Sequence, residues 1–299
     1  MKVCDVTETR IQDPSVVIQL TSPRQNGGPT RYTLCVPGDP MASSSGLVGI
    51  DTCLQGCLAD EFLLRFLRAK KFNQDNAFRL YTNYYILRLR YPDIFNDLRP
   101  SLVEHVFQSG VVCRLPQPDS EGRALIYFRP GLWNPAEWST NDIFRANVLV
   151  IEELLLSWPA VQVHGVIILV DLSGFSWRHA INLMSPWFLH RAVHFLQGSS
   201  PVRVKAVHIF NSPYMFSKIY STLIPLLKPK NQARVVMHNT SLESLHAAIS
   251  PHLLPCNGGL NGTGPSVPSP EYINGLLNLE DYFIEMNKYP YHINSISEM

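Results

Sequence analysis

The residues of this chain that could do chemistry are few and widely separated. His190 and His194 stand four residues apart on a predicted helix, a spacing that can place two imidazoles on one metal ion. No Glu accompanies them in an H-E-x-x-H pattern, so two histidines at a helix surface are the favoured interpretation. Asp171 ends an apolar strand, where active sites of open sheets often lie, yet capping of the following turn explains it at least as well.

Two further carboxylates, Glu152 and Glu153, interrupt an otherwise apolar helix. One of them can face solvent; the other needs a partner if it is buried, and a structural ion pair is favoured over catalysis. The sequence contains neither a G-x-S-x-G elbow nor a GxxxxGK[ST] phosphate loop, and its GTG triplet at 262–264 lies in a linker. We therefore expect no enzyme, no metal and no cofactor other than a bound cargo.

Bulk composition excludes one class of partner. The 299-residue chain has a formal net charge of +1, which argues against a nucleic-acid binder that relies on overall positive charge. Charged residues make up 16% and hydrophobic residues 45%, so there is apolar material for a large core and for a lined cavity. The six cysteines lack paired-motif spacing, which favours reduced thiols.

No apolar run approaches the roughly 18 residues that a membrane-spanning helix needs, and the N-terminus lacks the apolar core of a signal peptide. We therefore expect a soluble, cytoplasmic monomer.

The elements that position these residues follow from periodicity. We predict a flexible leader over 1–50, a helical unit over 51–100, a main domain over 101–260, and a linker with a last helix over 261–299. In the main domain a pair of strands precedes apolar strands that alternate with helices of a dozen residues or more. This alternation predicts an α/β fold with a mainly parallel sheet covered by helices.

The segment Pro213–Arg234 carries apolar residues at helical spacing, followed by a cationic cluster at Lys228, Lys230 and Arg234. Its apolar surface is wider than the stripe of an ordinary core-facing helix. The segment suits a helix that closes over an apolar interior and also touches an anionic membrane. An ordinary buried helix with a solvated charged end is the other interpretation, and both stay open at this point.

Several phrases together resemble the CRAL-TRIO (Sec14-like) lipid-transfer family. They are DEFLLRFLRAKKF, NYYILRLRYPDIF, RALIYFRPGLWNP, DLSGF, VKAVHIFNSPYMFSKIYSTLIPLLKPK and the closing NGG, and they span roughly residues 60–259 in the family's order. FLLRFLRA, NDIFRA and RVVMH are similar to the branch of the family that transfers alpha-tocopherol. The resemblance implies a helical N-terminal unit beside an α/β domain whose mobile gate helix covers a hydrophobic pocket. The gate corresponds to Pro213–Arg234, which we call the gate segment.

The resemblance also implies site residues. The expected lipid-binding residues are Phe144, Asn147, Ile151, Val166, Val170, Phe195, Leu196, Val202 and Val207. The expected phosphoinositide-binding residues are Lys70, Arg203, Lys230 and Arg234. The expected gate residues are Phe72, Phe216, Ile219, Tyr220 and Leu223.

The sequence departs from the tocopherol branch at its pocket. Asn147 and Ile151 stand where that branch has small hydroxyl residues, and Ile151 removes a hydrogen-bonding group while adding bulk. Cys256 and Asn257 replace the acidic and aromatic residues that precede the closing Gly-Gly pair. These changes leave the expected fold intact and bear on the expected cargo.

The resemblance therefore implies a cytoplasmic carrier of a tocopherol-like lipid that associates peripherally with endosomal or other phosphoinositide-rich membranes. Alternative cargoes are phosphatidylinositol, a retinoid or another isoprenoid. A different class of function, a phosphoinositide-recruited trafficking scaffold with a merely structural pocket, also stays open. An enzyme ranks last because no catalytic set is found.

Overall fold

The structure, a computed structural model, describes residues 56–289 except 184, 215, 217–219 and 222–223. Outside this range it gives only the backbone of five strands, β1 Val6–Glu8, β2 Val16–Arg24, β3 Gly27–Val36, β4 Thr52–Cys53 and β10 His292–Ile293. β1, β2 and β3 pair antiparallel, as do β4 and β10. The predicted leader lies otherwise outside the described residues, and its flexibility stays a prediction, as do the domain limits.

The central sheet consists of five strands within the described residues. They are β5 Val112–Arg114, β6 Ala124–Phe128, β7 Val166–Asp171, β8 Val204–Phe210 and β9 Val235–Asn239. They lie in sequence order, with β5 antiparallel to β6 and every other neighbouring pair parallel. The predicted mainly parallel α/β sheet is confirmed.

Helices precede, separate and follow these strands. The α-helices are α1 Asp60–Ala69, α2 Gln74–Arg90, α3 Pro92–Phe95, α4 Glu104–Ser109, α5 Thr140–Ser157, α6 Val161–His164, α7 Trp177–Leu183, α8 Pro186–His194, α9 Pro229–Gln232, α10 Leu242–Ala248, α11 Pro270–Leu277 and α12 Glu280–Met286. Short 3₁₀ turns lie at Pro100–Val103, Pro130–Leu132, Ile224–Leu226 and Pro251–Leu253, and a π-helical turn, Phe195–Ser199, extends α8.

Local sequence explains where the long helices begin. Ser139 accepts a hydrogen bond from the Asp142 N–H, while the Asp142 carboxylate accepts from the Ser139 N–H, a reciprocal capping box that starts α5. Asn73 caps α2 by accepting from the Asn76 N–H. Because α5 is apolar on most of its circumference, it can be buried on several sides at once.

The two faces of the sheet bury different clusters. One face, which carries Ile126 and Val166, packs against α5, α8 and the C-terminal helices. The opposite face, which carries Tyr127 and Leu169, packs against α10 and the chain around Leu254. Strand alternation produces this division, since successive side chains point to opposite faces.

Asp171 is a structural residue at the end of β7. Its carboxylate accepts hydrogen bonds from the Ser173 N–H and the Ser173 hydroxyl, at 3.0 and 2.7 Å. It also accepts from the Tyr127 hydroxyl at 2.9 Å and from the Asn211 amide at 2.9 Å. The turn-capping interpretation is confirmed, and these bonds tie three neighbouring strands together at their carboxyl ends.

A buried ion-pair cluster joins the N-terminal helices to the main domain. Glu152 on α5 accepts from the Arg65 guanidinium of α1 at 2.9 Å, and both side chains are only 3% exposed. Arg88 of α2 lies 3.3 Å from the other Glu152 oxygen, and the Tyr282 hydroxyl of α12 accepts from Arg65 at 3.4 Å. The cluster thus joins α1 and α2 to α5 through the Glu152 carboxylate, and α12 to α1 through Arg65.

The expectation that Glu152 or Glu153 faces solvent is wrong. Glu153 is also buried and pairs with Arg114 of β5 at 3.2 Å. Its carboxylate can be buried because Arg114 supplies a charged partner, while the Arg114 guanidinium stacks on the Trp158 ring. Neither carboxylate is free for catalysis, in agreement with the structural role that the sequence favours.

Two predicted helices are broken. The gate segment does not continue as one helix to Arg234, because the chain forms the 3₁₀ turn Ile224–Leu226 and then the separate helix α9. Pro225 and Pro229 explain the break, since proline lacks the N–H that an α-helix needs. The predicted last helix is likewise two helices, α11 and α12, which meet at Asn278.

Replacing Glu152 by Ala should lower the free energy of unfolding by about 3–5 kcal/mol, because it leaves the buried Arg65 guanidinium without its counterion. Urea unfolding followed by circular dichroism measures the change. Glu285→Ala is the matched control, since Glu285 pairs with Lys288 at an exposed site and its loss should leave the free energy of unfolding almost unchanged. Equal losses for the two variants would contradict the assigned role of Glu152.

A histidine pair links the two strands at one edge of the sheet. His208 Nδ1 of β8 lies 2.8 Å from His238 Nε2 of β9, and His238 Nδ1 lies 2.8 Å from the Ser244 hydroxyl of α10. One imidazole must donate and the other accept, so the pair is suited to neutral rings. Burial, together with His238 and Arg123, lowers the pKa of His208 to about 4.

The histidine pair predicts a fall in stability on acidification. The pKa of His208 is lower in the folded state than in the unfolded state, so the unfolded chain binds more protons between about pH 6.5 and pH 4. The contribution of His208 to stability is therefore present above about pH 6.5 and is lost as the pH falls towards 4. His208→Gln should flatten the pH dependence of the unfolding free energy below pH 6.5, and exposed His252→Gln should leave the wild-type slope.

Candidate functional site

A large cavity lies between α5, the sheet and the gate segment. Its volume is about 680 Å³, and its walls come from β6–β9, α5, α8 with its π-turn, and described residues of the gate segment. Pockets that bind small molecules commonly measure about 300–1,000 Å³ and are mostly apolar. This cavity is within that range.

Helix α5 supplies one wall. Phe144, Asn147, Val148 and Ile151 line the cavity, and their spacing of three and four residues puts them on one helix face. Phe144 is held by edge-to-face contacts with Phe188 and Phe195, at ring-centroid distances of 5.8 and 5.9 Å. The same helix carries Glu152, so the ion-pair cluster holds this wall in position against the N-terminal helices.

The sheet supplies the facing wall. The apolar lining residues of the sheet are Ile126, Phe128, Ile168, Val170, Val204, Val207, Ile209 and Val235. They alternate along β6 and β7, whereas in β8 Val204 lies before a register shift and only Val207 and Ile209 are two residues apart. Val166 shares the face of Ile168 and Val170 but does not line the cavity. As the first residue of β7 it is fully buried in the hydrophobic core.

The other expected lipid-binding residues line the cavity together. These eight are Phe144, Asn147, Ile151, Val170, Phe195, Leu196, Val202 and Val207. Phe195 and Leu196 belong to the π-turn that ends α8, and such turns often occur at functional sites. The geometry gathers these residues around one space, and their contact with a lipid stays a prediction.

Asn147 is the polar group on the α5 wall. Its amide nitrogen donates to the Ile143 carbonyl oxygen at 2.8 Å, one helical turn back. This bond sets the orientation of the amide, because a carbonyl oxygen can only accept. Asn147 therefore keeps its Oδ1 acceptor and one N–H of its amide for other partners.

Cations surround the opening of the cavity. All four of the expected phosphoinositide-binding residues are among the lining residues, and Lys71 and Lys205 join them. The full set is Lys70, Lys71, Arg203, Lys205, Lys230 and Arg234. Each is partly or fully exposed, which places the charges at the opening rather than in the apolar interior.

Carboxylates of the described residues form no ion pair with the cations of this opening. The described lining residues include no Asp or Glu, and no ion pair between described residues involves any of the six cations. Arg203 and Arg234 instead donate to the Val163 and Val204 carbonyl oxygens, at 2.8 and 2.6 Å. These bonds position two guanidinium groups and leave their charge uncompensated.

Lysine pKa values report the same positive field. Partial burial of the Lys70 ammonium lowers its pKa, and the nearby charge of Lys228 lowers it further. Partial burial also lowers the pKa of Lys205, with further contributions from Arg203 and Arg234. An anion that binds here would relieve repulsion among these groups.

The gate segment covers one side of the cavity. Phe216, Tyr220, Ile224 and Leu227 line it, and the Phe216 ring packs edge-to-face on Phe175 with centroids 6.2 Å apart. Expected gate residues Ile219 and Leu223 lie outside the described residues. Phe72 is half-buried and packs against the N-terminal helical cluster rather than lining the cavity.

Gln197 of the π-turn holds the C-terminal part of the gate segment. Its Oε1 accepts from the Lys228 N–H at 2.9 Å and from the Asn231 amide at 3.0 Å. Its Nε2 donates to the Leu226 carbonyl oxygen at 3.3 Å. One side chain thus fastens the segment across the opening.

Sequence reasoning missed several lining residues. Strand alternation from Val170 and Val207 could have identified Ile168 and Ile209, because residues two apart share a face. For Lys71 and Lys205 the sequence offers only their charge, which does not predict that they lie at the cavity opening. Gln197 could not have been found, because its partners are about thirty positions away in sequence.

The described residues hold no cluster of His, Cys, Asp and Glu side chains with the arrangement of a metal site. Among them there is also no helix long and apolar enough to cross a membrane.

Comparison with known proteins agrees with this architecture. The CRAL/TRIO domain family matches residues 108–259, and the CRAL/TRIO N-terminal domain family matches residues 56–83. The human (Homo sapiens) protein "Alpha-tocopherol transfer protein-like" is 36% identical over 232 residues, which cover 78% of this chain and 67% of that protein. Rat (Rattus norvegicus) "Clavesin-1" is 36% identical over 208 residues, 69% of this chain and 58% of that protein.

A solved structure, "Crystal structure of Sfh5", shares the fold. It superposes with a TM-score of 0.51 at 12% identity and covers 80% of this chain and 84% of that one. The two matched domains correspond to the N-terminal helices and to the sheet domain that encloses the cavity. The chain therefore belongs to the CRAL/TRIO family of lipid-binding transfer proteins.

Proposed function

We propose that this protein carries a single hydrophobic lipid in the cavity and exchanges it at membranes that contain phosphoinositides. The observation that supports this most directly is the combination of an apolar cavity with a ring of uncompensated cations at its opening. An apolar interior suits a lipid tail or ring, whereas the cations suit phosphate groups at a membrane surface.

The cavity walls favour a cargo that is apolar over most of its surface. Burying apolar area contributes about 25 cal/mol per Å², so a lipid enclosed by the aliphatic and aromatic walls gains most of its affinity from area alone. Asn147 then selects the polar end. Since Asn147 offers an acceptor, the favoured cargo has a hydroxyl that donates, as the phenol of alpha-tocopherol does.

Release is proposed to follow from binding of the membrane at the cavity opening. Lys230 and Arg234 lie directly after the gate segment's apolar residues, so an anionic headgroup held there contacts the element that covers the cargo. A membrane opens the gate only if it binds the open state more tightly than the closed state. Partition of the gate's apolar residues into the membrane supplies such a difference.

Phosphatidylinositol is the second candidate cargo, and one observation favours it. The cations line the same cavity as the apolar residues, so a phospholipid could place its acyl chains inside and its headgroup at the opening. Mass spectrometry of lipid extracted from protein purified without added lipid discriminates the two cargoes. A stoichiometric prenylated phenol supports the first proposal and phosphatidylinositol the second, while protein without lipid and without transfer activity supports a scaffold.

Lys230→Glu combined with Arg234→Glu should slow transfer of a fluorescent tocopherol analogue to vesicles that contain phosphatidylinositol bisphosphate by roughly tenfold or more, since each cation near an anionic surface contributes about 1 kcal/mol. Affinity for the analogue in solution should be unchanged. Fluorescence transfer and equilibrium titration measure the two quantities. Loss of both to the same extent would contradict the separation of headgroup and cargo binding.

Two further variants control this experiment. Arg234 also donates to the Val204 carbonyl oxygen, so Lys230→Glu alone tests charge without removing that bond. Arg178→Glu with Lys288→Glu introduces the same charge change at exposed positions outside the cavity and should transfer lipid at the wild-type rate.

Replacing Asn147 by Leu should weaken binding of alpha-tocopherol about two- to tenfold, which corresponds to the loss of one hydrogen bond of about 0.5–1.5 kcal/mol. The methyl ether of tocopherol cannot donate this bond, so its affinity should not fall. Parallel titrations of wild type and variant with both lipids give the comparison. A similar loss for both lipids would show that Asn147 acts through packing.

A further inference from the structure

A second, smaller cleft lies beside the cavity. Its volume is about 310 Å³, and it is lined by the end of α2, one face of α8 with its π-turn, and the chain after the gate's 3₁₀ turn. The lining residues are Arg90, His190, Val193, His194, Gln197, Gly198, Leu226 and Lys228. This cleft includes the histidine pair that the sequence marks as a potential metal site.

The chemistry of the cleft is cationic. Arg90 of α2 and Lys228 after the gate's 3₁₀ turn both line it, and the described lining residues include no Asp or Glu. Two cations beside the imidazoles make the cleft unfavourable for a metal ion. The same arrangement is favourable for an anion, which Arg can bind with two parallel N–H groups.

The acidic group near this cleft is already engaged. Asp93, three residues after Arg90, accepts from Arg191 at 2.6 Å and from the Asn141 amide at 3.1 Å. Arg191 points away from the cleft lining and stacks on the Trp187 ring at 3.0 Å. The charges of Arg90 and Lys228 are therefore not neutralised by that carboxylate.

The two histidines can add protonation-dependent donors. His190 Nδ1 lies 3.1 Å from the Tyr91 hydroxyl, and the His194 ring lies edge-on to the Tyr91 ring at 6.3 Å. Partial burial lowers the pKa of His194, and Arg90 and His190 lower it further. A bound anion would act in the opposite direction, since a nearby negative charge favours the imidazolium.

We propose that this cleft is a second anion-binding site, which takes the phosphate group of a phospholipid headgroup or free phosphate between Arg90, Lys228 and the two histidines. It is distinct from the cationic opening of the cavity, because none of these four residues lines the cavity. The site therefore does not depend on the proposed cargo or on lipid transfer.

The cleft and the cavity share a wall. Val193 and Gln197 line both, and the Lys228 N–H donates to Gln197 Oε1. An anion held by Lys228 thus contacts the chain that Gln197 fastens across the cavity opening. The gate segment ends between two positively charged sites.

The test uses the 299-residue chain and inorganic phosphate. The imidazole Cε1–H resonances of His190 and His194 are followed by NMR against pH, in phosphate and in chloride of equal ionic strength, and are assigned with His190→Gln and His194→Gln. Saturating phosphate should raise the pKa of His194 by about one unit. The rise should disappear in Arg90→Gln with Lys228→Gln.

Lys230→Glu serves as the control that separates the two sites, since it alters the cavity opening and should leave the phosphate effect on His194 intact. No pKa change in phosphate, or a change that persists in the Arg90→Gln with Lys228→Gln variant, overturns the proposal. Failure of the proposed lipid transfer has no effect on this readout.

Vesicles identify the source of the phosphate. Sedimentation with phosphatidylcholine vesicles is compared with and without phosphatidylglycerol, whose phosphodiester charge is constant between pH 5 and 8. A headgroup site predicts several-fold weaker binding for Arg90→Gln with Lys228→Gln, and tighter wild-type binding at pH 5.5 than at 7.5 because protonated histidines favour the anion. His194→Gln should reduce that pH dependence. If the Arg90→Gln with Lys228→Gln variant binds vesicles as tightly as the wild type does, and phosphate raises the pKa of His194 in the wild type, the site binds free phosphate rather than a headgroup.

Discussion

The buried carboxylate of Glu152 is the constraint on which the arrangement of the site depends. It holds the buried Arg65 and the partly exposed Arg88 of the N-terminal helices against α5, so separation of these elements would leave a buried charge without its partner. Ile151, the neighbouring residue on α5, faces the cavity. Lys70 follows α1 directly and lies at the cavity opening. One interaction therefore sets the position of an apolar wall relative to the charged opening.

The apolar and the charged parts of the site favour different interactions. Binding of hydrocarbon against the apolar walls removes it from water, and the free energy of this transfer depends on the buried area and little on orientation. The cations at the opening act over a longer range and are sensitive to salt. The gate segment borders both the apolar cavity and the cationic opening. A ligand bound at one of these two places can therefore change the gate conformation that is available to a ligand at the other.

The sequence was sufficient for the order of the central strands, the mainly parallel sheet and part of the cavity wall. Phe144, Asn147 and Ile151 follow from helical spacing together with the family resemblance, and strand alternation explains why Val170 and Val207 face the same space. Contacts between distant parts of the chain could not be predicted from the sequence. The partners of Glu152 and Glu153 lie on elements whose docking no local pattern encodes. Pro225 and Pro229 could have predicted the break in the gate segment. The wide apolar surface of the segment instead favoured the prediction of a continuous helix.

The cavity lining includes Ala69, Lys70, Lys71 and Leu80, which belong to the N-terminal helices and the corner between them. Two domain families that match separate stretches of sequence thus enclose a single binding volume. The shape and lining of the cavity are consequently a joint property of both stretches. A chimera that exchanged residues 108–259 alone between relatives would inherit a hybrid pocket, with one wall from each parent.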